Sequence, residues 1–255
     1  MDKKIVKKIE KKKGKYLVDL GDEKISLCQT FYMDELLYVG KSLSNNDCLR
    51  LAHLSQMSDP YEYSLRLLSR GAYSSHSLRE KISLKYPECK DINEIIFRLK
   101  KAGLFDDYGY ANAYKEAKES QLYGPKRIIN DLRYKKGINQ EILDDLEFED
   151  EEKILDELFP LADKRYKDLP FLRKVAKLEK LFIDRGFSKE KAKEYSLKAS
   201  VDKKEQNKRL KSDYEKAKRL YSRKYDGYEL RQRIIRSLLS KGYKMNEIEE
   251  IANNE

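Results

Sequence analysis

Tryptophan is absent from the chain's 255 residues, and glycine (11), proline (5) and histidine (2) are scarce. Without a large aromatic anchor and with so few chain breakers, many small helical cores are favoured over one large loop-rich core. The three cysteines, Cys28, Cys48 and Cys89, are scattered with no CxxC spacing, and only His53 and His76 could help them ligate a metal. They read as reduced thiols of a cytoplasmic protein, with no metal site and no cofactor. Long apolar runs are missing as well. Nothing approaches the roughly 18 residues that span a bilayer, and the opening MDKKIVKKIEKKKGK has no apolar signal region, so neither secretion nor membrane insertion is expected. Neither GxxxxGK[ST] nor GxGxxG occurs, so a phosphate cradle for nucleotide hydrolysis is not visible.

What is plentiful is charge. Charged residues make up 39% of the chain, and 55 Lys and Arg against 45 Asp and Glu leave a net charge of +10. Charge at that density points to long solvated helices. The positive balance points to a polyanionic partner, nucleic acid or an anionic membrane surface.

The first ~55 residues differ from the rest. Lys15–Leu20 and Glu23–Leu27 have β-type apolar content with Gly21-Asp22 between them as a turn, which predicts a hairpin joined by a third strand from Ile5–Ile9. Met33–Val39 and Asn46–Met57 then read as helices. From Tyr61 onward a degenerate repeat is present about four times. Tyr86, Gly137, Gly186 and Gly242 are spaced by 51, 49 and 56 residues. Each follows a base (Lys85, Lys136, Arg185, Lys241), and apolar side chains stand eight residues before (Leu78, Ile129, Leu178, Ile234) and nine after (Ile95, Leu146, Tyr195, Ile251). A helix ending in a base suits its own dipole, and Gly then takes the left-handed cap, with Asn139, Ser188 or Asn246 to start the next helix. A further helix precedes each pair, in Tyr61–Ser69, Tyr108–Lys118, Ile154–Tyr166 and Tyr214–Tyr225. The expected fold is mainly α: tandem three-helix repeats forming an elongated curved array after a small β-containing N-terminal module. The divisions are 1–58, 59–107, 108–150, 151–200 and 201–255. The acidic run Asp144–Glu152 reads as helix-start acids at a junction or as a patch for a basic partner or the chain's own bases.

Between Leu65 and Ile138 several motifs follow in order: Ser74 with Leu78-Arg79-Glu80-Lys81-Ile82, then Gly103-Leu104-Phe105-Asp106-Asp107, Tyr110-Ala111 with Tyr114, Gly124-Pro125-Lys126-Arg127-Ile128, Leu132, and Lys136-Gly137-Ile138. This stretch resembles the RecX family, regulators of the RecA recombinase. Ser77 stands where that family often has Glu, which leaves the capping box at Ser74 incomplete. The repeat over Ile154–Ser200 matches only in periodicity. The resemblance implies tandem three-helix repeats that bind in the groove of RecA filaments on DNA and modulate, usually inhibit, recombinase, ATPase and coprotease activity.

No apparent catalytic constellation outweighs its bland alternative. Asp106-Asp107 precedes a helix and suits capping, and Ser74-Ser75-His76-Ser77 reads as a helix start. Gly124-Pro125-Lys126-Arg127 places Pro at a helix N1, where exposed N–H groups could take an anion or simply begin a helix. The bases are the binding candidates: Arg70, Arg79, Lys81, Lys126, Arg127, Arg133, Lys135, Lys136, Arg231, Arg233 and Arg236, on or beside the middle helix of the repeats and interleaved with Tyr134 and Tyr228. The expected partners are the RecA filament and single- or double-stranded DNA, directly or through RecA, with no membrane and the chain acting as a monomer. The alternative is a general DNA- or RNA-binding helical-repeat protein. No enzymatic activity is expected.

Overall fold

The computed structural model describes residues 3–253. Strands β2 (Lys8–Lys12), β3 (Lys15–Asp19) and β4 (Lys24–Leu27) form an antiparallel sheet in that order, and β1 (Lys4–Ile5) pairs separately with β5 (Ser42–Leu43). Register places Ile9 opposite Val18 and Val18 opposite Ile25, one apolar row facing the core. The third strand therefore starts at Lys8, where Ile5–Ile9 was expected. Lys13-Gly14, both at positive φ, supplies a two-residue turn just before β3 and fixes the pairing.

A short helix α1 (Gln29–Asp34) follows, earlier than the expected Met33–Val39. Leu36 at φ +47 breaks the chain out of helix, and Lys41 Nζ donates to the Glu35 carbonyl at 2.7 Å. Helix α2 then runs unbroken over Asn45–Leu68, opened by a capping box between Ser44 and Asp47. It passes through Pro60 and erases the expected boundary at 58/59. Its first half roofs the sheet, with the Cys28 N–H donating to Ser58 Oγ at 3.0 Å and Ser55 Oγ to the Ser26 carbonyl at 2.9 Å. Its second half packs on α3 (Ser75–Lys85) and α4 (Ile92–Lys101), so one core holds Val18, Leu27 and Phe31 together with Leu78, Ile82 and Ile95.

Three further helix triplets follow. They are α5 (Asp107–Glu119), α6 (Pro125–Asn130) and α7 (Gln140–Asp144); α8 (Glu151–Arg165), α9 (Phe171–Arg185) and α10 (Lys189–Leu197); α11 (Lys203–Tyr221), α12 (Gly227–Lys241) and α13 (Met245–Asn253). The fold is mainly α, built of three-helix units behind a small antiparallel sheet. Two compact units divide it, one running to Ala113 and including Leu132–Leu146, the other comprising Tyr114–Asp131 and the chain from Glu147. In the second unit the α8–α10 and α11–α13 triplets have separate cores, around Leu178 and Phe182 and around Leu210 and Leu238.

The aligned apolar positions are buried, with one displacement. In the second triplet Ile128 is fully buried and Ile129 is only half-buried. Helix α6 continues into a π-helical turn, Asp131–Lys135, which inserts one residue before Gly137 and shifts the register by one. Asn139 and Ser188 cap α7 and α10 as expected, but Asn246 lies inside α13, whose start is held by Glu247 Oε2 accepting the Lys244 N–H at 3.2 Å.

The aligned glycines do more than end helices. Gly186 and Gly242 take φ +96 and +95, and a Cβ on Gly186 would lie 2.3 Å from the Arg127 backbone nitrogen while one on Gly242 would lie 2.6 Å from Arg173 Cβ. The N-terminus of α6 abuts the C-terminus of α9, with the Gly124 N–H donating to the Arg185 carbonyl (2.9 Å) and the Lys126 N–H to the Gly186 carbonyl (3.0 Å). The N-terminus of α9 meets the end of α12 in the same way, Leu172 N–H to the Gly242 carbonyl at 3.2 Å, and Ser74 at the start of α3 donates to the Lys136 carbonyl at 2.7 Å. Within the second unit the middle helices α6, α9 and α12 are thus joined positive end to negative end. Tyr86, ending α3, sits at φ −130, and its carbonyl accepts from Cys89 N–H, not from another helix.

Candidate partner-binding surface

The candidate bases fall on the exposed sides of the middle helices because the opposite sides carry the buried Leu78 and Ile82 of α3, Ile128 of α6 and Ile234, Ile235 and Leu238 of α12. Arg70, Arg79, Lys126 and Arg236 are exposed, with no side-chain partner among the described residues. Lys81 stands 5.6 Å from the Tyr73 ring. Arg127 Nε lies 3.4 Å from Asp131, and Arg133 donates to Gln140 Oε1 at 2.6 Å beside the Tyr134 ring, which is 73% exposed. Lys135 and Lys136 flank the end of the π-turn. On α12, Arg231 donates to Asn253 Oδ1 at 2.8 Å, and Arg233 lies 3.6 Å from Glu229 and over the Tyr225 ring.

A cleft of about 340 Å³ in the first unit gathers what the sequence left scattered: Arg79 and Lys100, the exposed Phe97, and Asn139 next to Gly137. Phe97 and Lys100 were missed by sequence reasoning. A signal was present, since Ile95, Ile96 and Leu99 form the buried stripe of α4 and Phe97 is out of phase with it. A phenyl ring lining the same cleft as two cations offers stacking and anion contact together.

Other sequence candidates turn out to be structural. Asp106 caps its own helix through the N–H groups of Tyr108 and Gly109, whereas Asp107 reaches back to the Ser75 N–H at 2.7 Å and to its hydroxyl. Ser77 gives Ser74 no return bond to its backbone, and Asp107 supplies the missing carboxylate of that helix start from the next triplet. Of the two readings of Gly124–Arg127, the ordinary helix start fits, because Lys126 N–H is bonded to the Gly186 carbonyl and Arg127 N–H to the Gly124 carbonyl. In the acidic run, Asp150 caps α8, Glu151 accepts the Ser188 N–H at 3.1 Å, and Glu152 pairs with Lys191, so helix starts and the chain's own bases use it. Lys174 is 1% exposed and bonds Asp163 at 2.6 Å and the Ser200 carbonyl at 2.7 Å, an internal tie and not a partner contact. His53 approaches Asp91 at 3.0 Å and His76 approaches Glu80 at 3.3 Å, both on the surface. Burial raises the thiols of Cys28, Cys48 and Cys89 above their usual value, which disfavours the reactive thiolate. Among the described residues no group of three or more His, Cys, Asp or Glu could hold a metal ion, and no helix is long and apolar enough to cross a membrane.

Fold and surface together define a helical-repeat protein whose exposed bases recur on the middle helix of its repeats. Residues 202–251 match the model of the RecX third three-helix domain. Over 253 residues the chain is 28% identical to the Regulatory protein RecX of Streptococcus gordonii, covering 96% of this chain and 97% of that protein. It is 27% identical to the Regulatory protein RecX of Streptococcus sanguinis over 250 residues, 95% of this chain and 96% of that one. Along nearly its whole length the chain is therefore similar to regulatory proteins of the RecX family. A solved structure described as the crystal structure of regulatory protein RecX is also similar, with TM-score 0.46 and 20% identity, covering 99% of this chain and all (100%) of that one.

Proposed function

We propose that this chain is a non-enzymatic regulator that binds the RecA–DNA filament and inhibits its recombinase, ATPase and coprotease activities in recombination, DNA repair and the SOS response. The observation that carries this reading is similarity along nearly the whole chain to proteins named regulatory proteins of the RecX family. Exposed bases recurring on α3, α6 and α12 add physical support, since clustered cations suit a partner of dense negative charge. The chain acts in the cytoplasm as a monomer. DNA is met directly or through RecA.

A strand-exchange assay with RecA, titrated with this protein, tests the reading: product falls with added protein, and RecA-coated single-stranded DNA is bound more tightly than naked DNA. Equal binding to naked DNA with a steep salt slope would favour a general nucleic-acid binder instead. Replacing Lys126, Arg127 and Arg133 together by Glu is expected to weaken filament binding by about 2 kcal/mol or more. Exposed bases contribute little to folding, so the melting temperature stays nearly constant. A folded triple variant with wild-type affinity would remove these residues from the interface.

A further inference from the structure

The bases on the repeats leave out the densest positive charge in the chain. Residues 3–15 contain eight lysines and a single acid, Glu10. Some are neutralised: Lys4 pairs with Asp22 and Glu23, Lys8 with Glu10, and Lys15 with Asp59. Lys11, Lys12 and Lys13 have no acidic partner among the described residues, and all three are exposed around the tip of the β2–β3 hairpin. Lys11 lies 5.3 Å from the ring of Tyr16, which stacks on Tyr32 at 3.9 Å between centroids. The tip is therefore a rigid mount, pinned by an aromatic pair.

Lysines along β2 alone could be explained as guards of a sheet edge. Lys13 cannot, because it sits in the turn and guards no ladder. Its φ is +51, the left-handed region where Asn, Asp or Gly is the low-strain choice in a two-residue turn. A lysine held in that conformation, beside two other unpaired lysines, is a strained residue kept where charge is presented. The tip sequence Lys12-Lys13-Gly14-Lys15 has no apolar side chain to enter a lipid surface, which favours a phosphate backbone over a membrane.

We infer that the hairpin tip formed by Lys11, Lys12 and Lys13 is a nucleic-acid contact that grips backbone phosphates without reading sequence. It assigns the N-terminal module a role of its own, and it does not rest on the recombinase reading, since naked DNA suffices to test it. The test uses the full chain and labelled duplex and single-stranded oligonucleotides of two unrelated sequences, titrated between about 50 and 200 mM salt. The variant Lys11→Gln/Lys12→Gln/Lys13→Asn is compared with the parent. Loss of three phosphate contacts flattens the slope of log affinity against log salt by about 2.7 on duplex and about 2.1 on single strands, equally for both sequences. A slope unchanged within one charge overturns the inference. So does a variant that keeps its DNA slope but no longer sediments with phosphatidylglycerol vesicles that the parent binds. Lys13→Asn alone separates binding from folding. It is expected to keep or raise the melting temperature, since Asn tolerates the left-handed turn, while flattening the duplex slope by about 0.9. A lower melting temperature with an unchanged slope would make Lys13 structural and end the proposal.

Discussion

Asp213, Lys241 and Tyr243 hold the last triplet together, Asp213 accepting from Tyr243 Oη at 2.9 Å and pairing with Lys241 Nζ at 2.9 Å. Burial by itself would raise the Asp213 carboxyl, but the bonds from Lys241 and Tyr243 outweigh it and leave its pKa below the usual value. Burial, and then the bond to that carboxylate, push the Tyr243 phenol above its usual range. A depressed carboxyl stabilises the fold above its unfolded pKa, about 3.9, and that stability is lost as pH falls toward the folded value. A raised phenol stabilises below its unfolded pKa, about 10, and that stability is lost as pH climbs past it. Melting curves of the parent and Tyr243→Phe should therefore differ by a constant amount from roughly pH 5 to 9, and the gap should close above about pH 10. A gap still constant at about pH 11 would mean that the phenol is not shifted by its surroundings.

At the scale of elements, the joints between middle helices explain why Gly recurs where it does. Gly186 meets two demands, a left-handed φ and the approach of Arg127, whereas Gly14 meets only the first, with nothing within 4 Å of the place a Cβ would take. Gly14→Ala should cost about 1 kcal/mol, the strain alone, and Gly186→Ala about 3 kcal/mol, because the start of α6 must also move. Urea titration of the two variants checks this, and equal costs would show that the joint is loose. The recurring base–Gly pairs were legible in the sequence because a left-handed cap restricts residue type. The joint was not, because no local pattern reports which helix end arrives at a glycine. The π-turn escaped for a related reason: one inserted residue moves the core position from Ile129 to Ile128, and both are isoleucine. Helix α2 reads as two helices in the sequence because Pro60 is a breaker by propensity, yet packing on both halves keeps it whole. Of the candidate surface, the exposed bases could be read from helical phase, while the Phe97 cleft needed residues from α3, α4, α5 and α7 and from the loop before α7.

Repetition matters for the whole molecule because contacts linked in one chain reinforce each other. Once one repeat is bound, the next binds at an effective concentration set by the linkage, in the millimolar range for short connections, so affinity grows without any new type of contact. The last triplet is a suitable piece to remove. Its core, from Leu210 through Ile251, is separate from the core around Leu178 and Phe182, and its ties to α9 include Leu172 N–H to Gly242 and Phe171 N–H to Gln206. A chain ending at Ser200 should retain the core around Leu178, with a lower melting temperature from the uncovered start of α9. If the protein acts across neighbouring recombinase subunits, this truncation costs more affinity for the filament than for one isolated subunit, because only the filament presents a second site for the linked repeat. Titrations of the full and shortened chains against both targets at matched salt make the comparison. Equal losses on the two targets would mean that each repeat acts alone, and bridging would have to be given up as the mode of binding.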